Sequence, residues 1–107
     1  MKKILIALVA LTLFAACGQS KKVTVVNNTG VDFTAIYASL PTSDEWGTAR
    51  SGAVDNNASE EISLYDFVEG QCSWDIGGET ADGNYYSQRE VNICEESTVT
   101  LVPGDLD

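Results

Sequence analysis

The residues able to do chemistry in this chain are few. It has three cysteines (Cys17, Cys72 and Cys94), sixteen acidic side chains, two tryptophans and no histidine. Without imidazole there is no Ser-His or Cys-His nucleophile, and the commonest zinc sets are excluded except all-cysteine ones. Cys72 and Cys94 lie on either side of the turn sequence Asp82-Gly83. Strands paired through that turn bring the two sulfurs near each other, and an exported protein would oxidise them. Closing the 23-residue segment would stabilise the fold by about 3 kcal/mol. In a reducing compartment the same pair would stay as two buried thiols. A redox-active pair is not expected, because no Cys-x-x-Cys is present and no cation or helix start lies near either thiol.

The other reactive types are carboxylates and aromatics. Asp44 and Glu45 precede Trp46 in a polar stretch, a combination that could stack a sugar ring and accept its hydroxyls. Asp44, Glu45, Asp75, Asp82, Glu95 and Glu96 are hard oxygen donors suited to calcium. No twelve-residue EF-hand pattern orders them, so a solvated anionic surface is the plainer reading. A loop tryptophan, likewise, commonly folds back over the edge of a small core. Paired carboxylates for glycoside hydrolysis need a deep cleft that so short a chain can hardly build. The expectation is a non-enzymatic protein with no metal centre and no cofactor. Asp44, Glu45 and Trp46 are the candidate ligand-binding residues.

These residues sit in a chain of 107 residues with a net charge of −10, room for one small domain. Without the first 16 residues, which carry Lys2 and Lys3, the balance falls to −12 over 91 residues. Phosphate binding needs a basic patch, so a nucleic-acid partner is excluded.

The first 16 residues are a separate unit. Met1-Lys2-Lys3 is a positive n-region, and the apolar run from Ile4 to Ala16 is broken only by Thr12. Thirteen helical residues span about 20 Å, short of the roughly 30 Å hydrocarbon core, so this is a signal-peptide h-region. Leu13-Phe14-Ala15-Ala16-Cys17 resembles the lipobox of bacterial lipoproteins, with Phe14 where that family prefers Leu. The resemblance implies that Cys17 is lipidated through sulfur and becomes the new N-terminus, giving a membrane anchor in the cell envelope. Because Gly18 and not Asp follows the cysteine, it also implies an outer-membrane or cell-surface address. Ordinary cleavage near Ala16 would instead leave a secreted protein. Residues 17–22 then read as the lipidated cysteine and a polar tether.

From Lys22 onward the periodicity is two, with no run of convincing helical spacing. Val23–Val26 and Val31–Tyr37, around the turn Asn27-Asn28-Thr29-Gly30, are expected to pair as a hairpin. Val31, Phe33, Ala35 and Tyr37 would share one face. A short strand is expected near Thr48–Ala53, with others at Ser59–Leu64, from Cys72 to Ile76, from Tyr85 to Cys94 and at Thr98–Val102. Six or seven short antiparallel strands indicate an all-β domain over residues 23–102, a β-sandwich or else a small open barrel. Residues 103–107 would be a fraying acidic tail.

The succession Val25-Val26-Asn27-Asn28-Thr29-Gly30, Ser43-Asp44-Glu45-Trp46-Gly47, Cys72-x-x-Asp75-Ile76, Asp82-Gly83 and Val91-Asn92-Ile93-Cys94-Glu95 resembles a group of small secreted bacterial proteins of unassigned activity. The resemblance implies an exported all-β domain and assigns no catalytic residue. It leaves any protein or glycan partner unnamed.

Overall fold

The computed structural model describes residues 21–107. The signal-peptide segment 1–16, the lipidation site Cys17 and residues 18–20 lie outside the described residues. Alternating apolar residues make the described part all-β, with two sheets of three strands each. The first strand, β1, is Lys21–Asn27, followed by β2 at Phe33–Ser39, β3 at Ser59–Leu64, β4 at Ser73–Thr80, β5 at Tyr85–Asn92 and β6 at Thr98–Leu101. One sheet has the order β3-β1-β6 and the other β2-β4-β5. Lys21 and Lys22, read from sequence as tether, already belong to β1.

The inward residues of both sheets form one core. Val23, Val25, Ile62, Leu64, Val99 and Leu101 from the first sheet meet Phe33, Ile36, Ala38, Trp74, Ile76 and Val91 from the second. Ile62 with Leu64, Trp74 with Ile76, and Val99 with Leu101 are buried as their alternation requires. Two glycines let side chains approach β4 closely. A Cβ on Gly78 would collide with the Phe33 ring, and one on Gly77 would lie 2.8 Å from the Trp46 ring.

Several expectations are corrected. First, β1 and β2 do not form a hairpin; they belong to different sheets. Asn27 is fully buried, and its side-chain amide donates to the carbonyls of Val31 (2.8 Å) and Val54 (3.0 Å). Its Oδ1 accepts from the Thr29 N–H and hydroxyl. These bonds carry the chain across the core and not back along its own sheet. Second, the pairing is not wholly antiparallel, because β6 runs parallel to β1, from Thr24 opposite Thr98 to Asn27 opposite Leu101. The chain reaches β6 from the opposite sheet, so it can enter in either direction. Third, a register shift between Phe33 and Ala35 breaks the face shared by Val31, Phe33, Ala35 and Tyr37. Phe33, Ile36 and Ala38 point inward, while Val31 is exposed and Tyr37 lies on the outer face. The segment Thr48–Ala53 contributes only an isolated bridge, Ser51 to Ile36, with a second bridge from Val54 to Phe33 just beyond it.

Fourth, the C-terminal tail does not fray. Pro103–Asp105 form a single 3-10 turn, Leu106 bridges Tyr86, and the Asp107 N–H donates to the Tyr85 carbonyl. The Asp107 carboxylate accepts from the Ser87 hydroxyl and from Arg89.

Cys72 and Cys94 form a disulfide with their Cα atoms 5.2 Å apart. Strict alternation through Val91 and Ile93 would turn Cys94 away from its partner. The ladder ends at Asn92, however, and Asn92 Oδ1 accepts the Cys94 N–H in the turn that follows. That turn brings the sulfur to Cys72. A bulge lies further up the strand, where Asp75 alone faces Arg89 and Glu90. Glu90 adopts φ 55° there, and its N–H is taken by the Asp75 carboxylate at 2.8 Å.

The bridge joins residues 22 apart in sequence, so its loss enlarges the unfolded ensemble. Cys72→Ala with Cys94→Ala, or reduction of the native protein, should lower unfolding free energy by about 2–5 kcal/mol in urea titration. Equal midpoints for the reduced and oxidised protein would show that the bridge is energetically idle.

Candidate functional site

A cleft of about 300 Å³ opens between the polar segment after β2 and the turn after β3. Its floor is Ala38, Leu40 and Trp74, and its walls carry Trp46 and Glu45 on one side and Tyr65 and Asp66 on the other. Trp74 is set by its place on β4 and by its indole N–H, which donates to the Gln71 carbonyl at 2.7 Å.

Arg50 organises the cleft. Its backbone N–H donates to Ile36 O at 2.7 Å, tying the loop to the edge strand β2. Its guanidinium donates to the Ala38 carbonyl through Nε (3.3 Å) and Nη2 (2.8 Å). It also forms a two-point pair with the Asp66 carboxylate at 2.8 and 3.1 Å. The same cation lies 5.3 Å from the Tyr65 ring centre and 5.7 Å from that of Trp74. With its side chain only 9% exposed, Arg50 is committed to the walls and is not a free anion receptor. Its hydrogen bonds hold the Asp66 carboxyl below the usual carboxylate range.

Trp46 reaches the outer face of the second sheet. It lies over Gly77, stacks nearly parallel to Tyr85 at 5.9 Å and carries the Arg89 guanidinium over its ring at 5.1 Å. Tyr37 completes the group, tilted against both Trp46 and Tyr85, and donates its hydroxyl to Glu79 at 3.0 Å. The Glu79 carboxylate accepts that hydrogen bond and so pushes the Tyr37 pKa up; loss of hydration, then Glu79, raises that of Tyr85. This aromatic group fixes the loop that forms the cleft wall. Ser43 stiffens the loop further, donating to Glu45 O and accepting the Glu45 N–H.

Of the three candidate ligand residues, Glu45 and Trp46 line the cleft, and Asp44 is exposed outside it. The acidic residues considered for calcium are not brought together. Asp75 is nearly fully buried and engaged by Arg89 and the bulge. Among the described residues, no group of three or more Asp, Glu, Cys or His could hold a metal ion. The cleft presents aromatic surface, two carboxylates and the hydroxyl-bearing residues Ser39, Ser43 and Thr48. Such a lining can stack and hydrogen-bond a small polyhydroxylated ligand.

Sequence reasoning missed Arg50, Tyr65 and Asp66. One signal was available: only two arginines stand in this acidic chain, and an isolated guanidinium among carboxylates is a natural organiser of a polar loop.

Comparison with known proteins bears on the fold alone. No protein-family model matches the chain. No curated protein matches it either. The fold is similar to the NMR structure of a protein from Eubacterium rectale, with a TM-score of 0.50 and 13% sequence identity. The likeness covers 78% of this chain and 76% of that one.

The Asp66 carboxyl has a lowered pKa in the fold, so its stabilising effect is present above the ordinary value and is lost as pH falls through the folded one. The Arg50–Asp66 pair should therefore weaken below about pH 4. Asp66→Asn should melt slightly lower than wild type at neutral pH and show a flatter decline on acidification. Parallel melting curves for the two proteins across that range would show that the pair contributes nothing.

Proposed function

We propose that this protein is a lipid-anchored component of the bacterial cell envelope, and that its domain acts by binding or as a structural accessory, without catalysis. The observation that carries this reading is Cys17, directly after a short apolar run and Ala15-Ala16. The Cys72–Cys94 disulfide supports it, since such bonds persist in exported proteins. The anchor would hold the protein at the outer membrane or cell surface; without lipidation the protein would be secreted. In this reading the two three-stranded sheets are the faces of a small β-sandwich over one shared core.

The cleft favours a second reading, a carbohydrate-binding module. Trp46 and Tyr65 supply aromatic surface, and Glu45 supplies an acceptor for hydroxyls, the Asp66 oxygens being already engaged by Arg50. A neutral glycan fits better than an anionic one, because the guanidinium of Arg50 is already engaged. The calcium form of this reading is the less favoured, because the acidic loops converge nowhere among the described residues.

Cys17→Ser should abolish lipidation, change the intact mass and move the protein to the soluble fraction. Equal masses and equal fractionation for mutant and wild type would remove the lipoprotein reading. The soluble Cys17→Ser protein then serves for calorimetry against calcium and a panel of neutral oligosaccharides. If the cleft binds glycan, one oligosaccharide should give saturable heat that Tyr65→Ala and Glu45→Gln weaken; heat with calcium alone would reverse the preference between ligands.

A further inference from the structure

Among the described residues, the most exposed large apolar side chains lie at the end of the first sheet from which the chain runs back toward Cys17. Tyr65 is 65% exposed and Val68 is 55% exposed, both in the turn after β3. β1 and β3 are antiparallel, with Lys21 opposite Leu64. The tether before Lys21 and the turn after Leu64 therefore leave the sheet at the same end. From Cys17 to Lys21 is four residues, which even fully extended span at most about 14 Å. If Cys17 carries lipid, the bilayer surface lies within that distance of the strand end beside which Tyr65 stands.

The turn has a defined shape. The Phe67 N–H donates to the Leu64 carbonyl at 3.0 Å and the Gln71 N–H to the Val68 carbonyl at 2.9 Å. Phe67 packs against the core, while Tyr65 and Val68 project outward. Arg50 lies over the Tyr65 ring and neutralises Asp66 within the same turn, which lowers the cost of bringing the turn to a membrane surface. Lys21 and Lys22 at the root of the tether suit lipid phosphates. The other exposed large apolar residues, Val31, Val102 and Leu106, follow the far ends of β1 and β6 or pair near the start of β5, away from the anchor.

We infer that Tyr65 and Val68 form a membrane-contact patch that seats the domain on the bilayer carrying its lipid. This rests on the lipid-anchor reading. The patch is the second attachment, which restricts the domain to one orientation, with the turn after β3 at the lipid surface and the Asn28–Asp32 and Asp82-Gly83 turns away from it.

The test uses the full lipidated chain in phosphatidylcholine vesicles with brominated acyl chains. Val68→Trp places a fluorophore in the patch, Val31→Trp places one at the far end, and the wild type supplies the background of Trp46 and Trp74. Intact mass first establishes acylation of Cys17. The emission added at position 68 should shift to the blue and be lost on brominated vesicles, while that added at position 31 should keep its aqueous wavelength and intensity. An acylated protein in which both positions behave alike overturns the membrane patch and leaves the lipid anchor standing. A chain that carries no acyl group overturns both.

Discussion

A single buried amide decides how this chain is wound. Asn27 has no solvent exposure, yet every polar group it carries is satisfied. Its backbone N–H donates to Ala58 O at 2.9 Å and its carbonyl accepts from the Asn57 N–H at 2.6 Å. Its side chain bonds Val31, Val54 and Thr29. Removing the amide would leave the buried Thr29 N–H without its acceptor, at a cost of about 1–3 kcal/mol. It would also take one of two donors from the Val31 and Val54 carbonyls, which keep the Thr29 hydroxyl and the Phe33 N–H. A turn of Asn-Asn-Thr-Gly can close a hairpin. Here the Asn27 side chain spends its donors on the crossing segment instead, so β2 starts the opposite sheet.

Other features of the site depend on that crossing. Once β2 lies beside β4, Phe33 covers Gly78 on the core side, and Trp46, following β2, covers Gly77 on the outer side. Adjacent glycines on one strand thus admit a large ring on each face. The segment between β2 and β3 is bound back to β2 by the Ser51 and Val54 bridges and by Arg50. A polar stretch of this length becomes an ordered wall because its hydrogen bonds go to a strand edge that would otherwise stand open.

Strand positions were legible in the sequence where burial follows strict alternation. Ile62 with Leu64, Trp74 with Ile76 and Val99 with Leu101 each show a period of two without interruption. The Asp82-Gly83 turn was legible too, with Gly83 at φ 86° and its N–H closing on Thr80. Partner choice was not legible, because alternation says which face is buried and not which strand lies alongside. The parallel pairing of β1 with β6 and the separation of β1 from β2 both follow from long-range contacts. Bulges hid the rest: one extra residue at Phe33–Ala35 reverses every face assignment after it. Of the candidate site, Trp46 and Glu45 could be read from composition, but Tyr65 and Asp66 meet the cleft through contacts with Arg50, which is 16 residues from Asp66 in sequence.

The distribution of the few cations explains how so acidic a domain tolerates its irregular backbone. Asp75 is 4% exposed, a position where a carboxylate is costly unless paired. The bulge at Arg89–Glu90 supplies an N–H for one oxygen, and the Arg89 guanidinium, 3.3 Å away, supplies the other partner. Arg89 reaches Asp107 as well, tying the C-terminus to β5, and its planar face covers Trp46. Arg50 repeats the pattern beside Asp66, Tyr65 and Trp74. Each arginine stands where chain segments distant in sequence meet and where the regular ladder has failed to satisfy a backbone group or an acid. Lysine could neutralise the same carboxylates, but it lacks the planar fork that reaches both Asp66 oxygens from Arg50, or Asp75 and Asp107 from Arg89, while stacking on a ring. The choice of arginine at both junctions therefore follows from geometry as much as from charge.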